Sequence, residues 1–179
     1  MSQVVLIHGG SFTSRYFDRL GPLLDRPHLA VDLPGRGARP ADVNNLTIAD
    51  WIDAVVEDVE RAGFDRVVLH GHSLAGVTMP GVAARLPDLV HHLVFSSCTV
   101  PGEGQRACDL LRPDIADVVR SVRGVVESGQ LRLGAEIPDV VDAREMVGAD
   151  APEPMLEFVR DPARRHHPEA ISVLFEPIS

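Results

Sequence analysis

Residues 67–76 read Val-Val-Leu-His-Gly-His-Ser-Leu-Ala-Gly, and no other stretch constrains the fold as much. A short apolar run rich in β-branched residues predicts a buried parallel strand. It runs straight into Gly71-His72-Ser73-Leu74-Ala75, and a helix is expected next, reaching about Arg85. A serine between a strand and a helix, with small residues two positions before and after, predicts a very tight turn. Gly71 and Ala75 meet the size requirement, although glycine is commoner at the second position. Such a turn lifts the serine hydroxyl above the carboxyl end of the sheet. It also sets Ser73 at a helix start, where free N–H groups favour developing negative charge. Pro80 lacks an amide donor, so a kink or early break is expected in that helix.

The flanking sequence supports a sheet of this kind. Val4-Val5-Leu6-Ile7 reads as a first buried strand, ending at His8-Gly9-Gly10. Phe17, Leu20, Leu23 and Leu24 have helical spacing, and Leu29 to Val31 gives a second strand stopped by Pro34, Gly35 and Gly37. Ile48, Trp51, Ile52, Val55, Val56 and Val59 predict a helix from about Ile48 to Ala62. Thr47 is its expected N-cap, Asp50 the partner in a capping box, and Gly63 its stop. Val67-Val68-Leu69 is the third strand and Leu93-Val94-Phe95 the fourth. Alternating strand and helix define an α/β fold, a parallel sheet flanked by helices, over residues 1–100. Residues 101–179 show no convincing apolar strand. Ile115, Val118, Val119 and Val122 have helical spacing, as do Met155, Leu156 and Val159, and Ala170, Ile171, Leu174 and Phe175. This charged segment, broken by Pro and Gly, reads as a helical cap.

Composition removes several classes. The 179 residues are 45% hydrophobic and carry a net charge of −9, which supports a packed core and argues against nucleic-acid binding. Cys98 and Cys108 are the only cysteines and read as unpaired thiols of a reducing compartment. No Cys/His cluster has metal spacing, and Gly35-Arg36-Gly37 lacks the rest of a dinucleotide loop, so neither metal nor cofactor is expected. The N-terminus lacks signal-peptide character and no apolar run is of membrane-spanning length. The default expectation is therefore a cytoplasmic protein without membrane partners.

The hydroxyl of Ser73 is the candidate catalytic nucleophile. Acyl transfer needs preorganised N–H donors for the tetrahedral oxyanion. Leu74, next after the serine, is one candidate; Gly10, in the loop after the first strand, is the other, with Ser11 second to it. His8, Gly9, Ser11 and His72 flank these atoms and are the candidate substrate-binding residues. Within that set His8 is expected to order the turn, and the His72 side chain to point away from Ser73.

Four pieces now carry a resemblance: Val5-Leu6-Ile7-His8-Gly9-Gly10, Asp32-Leu33-Pro34-Gly35-Arg36-Gly37, Val68-Leu69-His70-Gly71-His72-Ser73-Leu74-Ala75-Gly76 and Leu93-Val94-Phe95-Ser96-Ser97. From Val4 to about Pro101 the chain resembles the N-terminal half of α/β-hydrolase-fold esterases, above all the plant methylesterase and hydroxynitrile lyase group. The resemblance implies a strand order of second, first, third, fourth, with the site where that order reverses. It implies a small ester-like substrate, with a methylesterase, thioesterase or lactonase as the leading reading. A binding protein that has lost turnover and a lyase on the same serine scaffold are the alternatives.

The resemblance also implies an acid and a histidine after two further strands beyond the cap. Neither strand is legible before Ser179, so the last core strands and the base are expected to be missing, and the chain alone to be feebly active. His166 and His167 sit among Arg164, Arg165 and Pro168 and read as surface histidines. Glu103 follows the fourth strand, where some relatives keep their acid. Asp32 reads as a structural cap for nearby amides. A fourth strand without a neighbour would leave an apolar edge open to association between copies.

Overall fold

The computed structural model describes residues 1–113, 116, 117, 119–121, 144, 147–161, 163, 164 and 170–179. Strands Gln3–Ile7 (β1), His28–Val31 (β2), Val67–His72 (β3) and Val90–Ser96 (β4) form one parallel sheet in the order β2-β1-β3-β4. That is the order the family resemblance implies. Each strand is slightly longer than its apolar run, because sheet pairing recruits polar neighbours such as His28 and His91. In register, Ile7 lies opposite Gly71, and His72 opposite Ser96.

Helices cover one face. Ile48–Ala62 (α1) begins with the full capping box of Thr47 and Asp50 and ends at Gly63 in the left-handed region, φ 65°. Trp51, Val55 and Val59 on α1 are buried with Val5, Ile7, Val67 and Leu69 in the main core. Each such aliphatic side chain contributes about 1.5–3 kcal/mol by leaving water. The opposite face holds a smaller cluster of Val4, Leu6 and Phe17.

One expectation needs correction. Residues 17–24 do not form one helix; they form short 3-10 turns at Ser14–Phe17 and Gly21–Leu23. Gly21-Pro22 interrupts the pattern, since proline supplies no N–H and glycine costs backbone entropy. Leu23, expected on the buried face, is 80% exposed. The break expected near Pro80 is present: the chain after Ser73 forms a 3-10 turn Ser73–Val77 and then a helix Met79–Arg85 (α2). Pro80 sits in the first turn of α2, so the break comes just before it.

In the second half, Glu153–Arg160 (α3) buries Leu156 and Val159 with Ala151 in a cluster of its own. Ile171–Phe175 (α4) instead packs Ile171, Val173 and Leu174 into the main core. The Glu176 carboxylate accepts the Ile48 N–H at 2.7 Å, joining this end to the start of α1. Ile115, Val118, Val122, His166 and His167 lie outside the described residues. β4 is the last strand of the described sheet, and Val94 and Phe95 on its two faces are 43% and 42% exposed.

Candidate active site

The loops at the carboxyl ends of β1, β3 and β4 meet at Ser73. Among the described residues, the non-glycine positions with left-handed φ are Ser11 (56°), Ser73 (55°) and Ser97 (49°). One serine lies in each of these loops. A side chain held there costs on the order of 1–3 kcal/mol and persists only where its surroundings enforce it.

Size restrictions explain the turn. A Cβ on Gly71 would strike the Met79 sulfur and come within 2.8 Å of the Ala75 Cβ. A Cβ on Gly9 would lie 2.8 Å from the Ser73 Cβ and 2.9 Å from the His72 carbonyl oxygen. Glycine at position 9 thus lets the loop after β1, carrying Gly10 and Ser11, press directly against the serine turn.

The histidines are engaged elsewhere. His8 is fully buried; its Nδ1 faces the Gly9 carbonyl at 2.8 Å and its Nε2 accepts the Leu33 N–H at 3.2 Å. A backbone N–H can only donate, so Nε2 is bare and Nδ1 carries the proton. His8 therefore braces the turn, which corrects its place among the substrate-binding candidates. His72 stacks on Tyr16 with centroids 4.9 Å apart and meets Phe12 edge-on at 6.2 Å. Burial, then repulsion from His70, lowers its pKa. His70 Nε2 bonds the Ser96 hydroxyl at 2.8 Å, and burial lowers its pKa too.

Asp32 accepts the Ser14 N–H at 2.7 Å and the Ala38 N–H at 2.9 Å. Burial alone would raise its pKa, but the hydrogen bonds from Ala38 and Ser14 outweigh it and lower the pKa. This carboxylate is a cap, in keeping with the sequence reading. Glu103 is exposed.

Two features escaped the sequence. The first is an aromatic column. Tyr16 lies between His72 and Phe158, 6.5 Å from the latter. Arg19 and Arg164 lie 4.5 Å and 4.4 Å from the Phe158 centroid, and Arg164 pairs with Asp18 at 3.1 Å. Thr13 donates its hydroxyl to the Ala163 carbonyl at 3.1 Å, so the stretch carrying Phe158 and Ala163 is tied to the turn after β1. The available signal was the crowding of Phe12, Tyr16 and Phe17 in a chain with 4% aromatics. The second feature is the loop after β4. The Thr99 N–H donates to the Ser73 carbonyl at 3.0 Å, and the Cys98 thiol to the Gly71 carbonyl at 3.2 Å. Both Cys98 and Cys108 are free thiols.

A family model described as the alpha/beta hydrolase family matches residues 4–177. The chain belongs to the alpha/beta hydrolase family. It is 24% identical over 128 residues to "Putative methylesterase 14, chloroplastic" of Arabidopsis thaliana, an alignment covering 69% of this chain and 37% of that protein. It is 30% identical over 102 residues to the polyneuridine aldehyde esterase of Rauvolfia serpentina, covering 54% of this chain and 39% of that protein. Among solved structures, an extracellular alpha/beta-hydrolase from a Paenibacillus species superposes with a TM-score of 0.76 at 20% identity. That match covers 100% of this chain and 71% of the other, and at such identity it speaks for the fold. The chain thus spans well under half the length of these curated relatives. Among the described residues, no helix is long and apolar enough to cross a membrane.

Proposed function

We propose that this chain carries the nucleophile and oxyanion donors of a serine hydrolase acting on a small carboxylic ester, of the methylesterase, thioesterase or lactonase kind. Ser73 Oγ attacks the ester carbonyl, and the developing oxyanion is held by the N–H groups of Leu74 and Gly10. Collapse of the tetrahedral intermediate expels the alcohol and leaves an acyl group on Ser73, which water then removes. A base must take the serine proton. Of the described imidazoles around the turn, His8 is bonded to Gly9 and Leu33 and His70 to Ser96, while His72 stacks on Tyr16 with its Nδ1 buried and without a hydrogen-bond partner. None of these rings is bonded to Ser73 among the described residues, so slow turnover is the expectation.

One observation carries the reading: a serine with left-handed backbone at a strand-to-helix turn, with Gly9 pressed against its Cβ. The esterase relatives support the choice of an ester. The experiment is labelling with a fluorophosphonate, followed by peptide mass mapping, with and without imidazole as an added base. Expected is a slow adduct on Ser73, faster with imidazole and absent in Ser73→Ala. An adduct that forms equally well in Ser73→Ala overturns the reading.

A further inference from the structure

We propose that the segment leaving β4, residues 97–99, is a clasp that holds the nucleophile turn in its strained shape, with Cys98 as its positioning residue. The proposal rests on Ser73 being the nucleophile and adds a residue that touches neither substrate nor reacting atoms.

Gly71 and Ala75 permit the tight turn, but permission does not enforce a left-handed serine. Enforcement comes from across the sheet. The Gly71 carbonyl, two residues before the nucleophile, accepts the Cys98 thiol at 3.2 Å. The Ser73 carbonyl itself accepts the Thr99 N–H at 3.0 Å. Three residues further on, Gly76 closes against the Thr99 carbonyl so tightly that a Cβ there would collide with it. One short segment thus grips the turn before, at and after Ser73. The segment is anchored in its turn. Ser97 is left-handed at φ 49°, and the Ser96 hydroxyl bonds His70 at 2.8 Å across the strand pair. Register sets Ser96 opposite His72, so the clasp starts level with the residue before the nucleophile.

Cysteine suits the position. Burial pushes its thiol up, only partly offset by hydrogen bonds from the backbone of Ser96, Gly76 and Ser73, so the S–H stays protonated and able to donate. A hydroxyl keeps the donor; an isosteric valine removes it.

The test uses the whole chain as Cys98→Ser, Cys98→Val and Gly76→Ala. Its first readout is hydrogen exchange of the Thr99 amide, with the amides of Val55 and Val59 in α1 as internal controls. Its second is the rate of fluorophosphonate labelling at Ser73. Expected in Cys98→Val and Gly76→Ala is Thr99 exchange faster by ~10-fold or more and labelling slower by ~10-fold, with α1 protection intact, while Cys98→Ser retains both. Unchanged Thr99 exchange in either disruptive variant overturns the clasp, as does a Cys98→Ser defect as large as that of valine. Gly76→Ala decides alone if Cys98→Val does not fold. Failure of the nucleophile reading looks different: the wild-type chain then labels no faster than Ser73→Ala, while the exchange readout still reports on the clasp.

Discussion

Gly9 and Ser73 come from strands adjacent in the sheet and distant in sequence, yet a single added carbon on Gly9 would stand 2.8 Å from the serine Cβ. The backbone of one loop is thereby the wall against which the other loop's side chain rests. Gly9→Ala should push the two loops apart and carry Gly10 away from the oxyanion position proposed for it. Because losing one such donor costs on the order of 10²-fold or more in rate, labelling of Ser73 should fall by about that factor. Circular dichroism should stay native. A Gly9→Ala chain that labels at the wild-type rate would sink the proposed role of this loop.

Acid sensitivity follows from His70 and His72. Both pKa values lie below the ordinary 6.5, through burial at His70, and burial with repulsion from His70 at His72. The unfolded chain therefore binds more protons than the folded chain just below that value. Stability rises with pH wherever the unfolded state binds more protons. It is full above 6.5 and declines as pH falls through 6.5 toward the lower folded values. Urea midpoints measured on either side of that pH should show this, and a variant lacking both imidazoles should decline less. An equally steep decline without the rings would exclude them as the cause.

The start of α1 has two independent ties, the Thr47 capping box and the Glu176 carboxylate on the Ile48 N–H. Thr47→Ala should cost about 1 kcal/mol, a fall of about 2–4 °C in Tm for a chain of this size. Calorimetry checks it, and a shift within error would mean Glu176 suffices alone.

β4 is the last strand of the described sheet, and its Val94 and Phe95 are 43% and 42% exposed. Such edges pair with other chains unless blunted by charge. Light scattering should show mass rising with concentration, and Val94→Lys should suppress the rise. Concentration-independent monomer in the unmodified chain would count against the edge as a self-association surface.

The sheet was legible because its strands are continuous apolar runs closed by glycine-rich turns, and α1 because its period, cap and stop agree. Ser73 was legible because Gly71 and Ala75 mark the turn on either side. The aromatic column and the Cys98-Thr99 contacts were not. They join residues 12–17 to 158–164 and 71–76 to 97–99, and no local pattern records contacts between such distant stretches. Residues 17–24 have helical apolar spacing, but the backbone chemistry of Gly21-Pro22 decides their structure. His8 was legible as the residue that orders the turn, but its bond to Leu33 was not, because that depends on how the β1 and β2 ends meet.

The left-handed serines have an evolutionary corollary. Glycine at positions 11 and 97 would relieve torsional strain without adding an atom. Heat-driven selection gathers changes of that sort wherever function does not forbid them. Heat-hardened descendants of this chain would accumulate them at whichever of the two is expendable. The serine that resists replacement would mark where rigidity is being spent on reactivity.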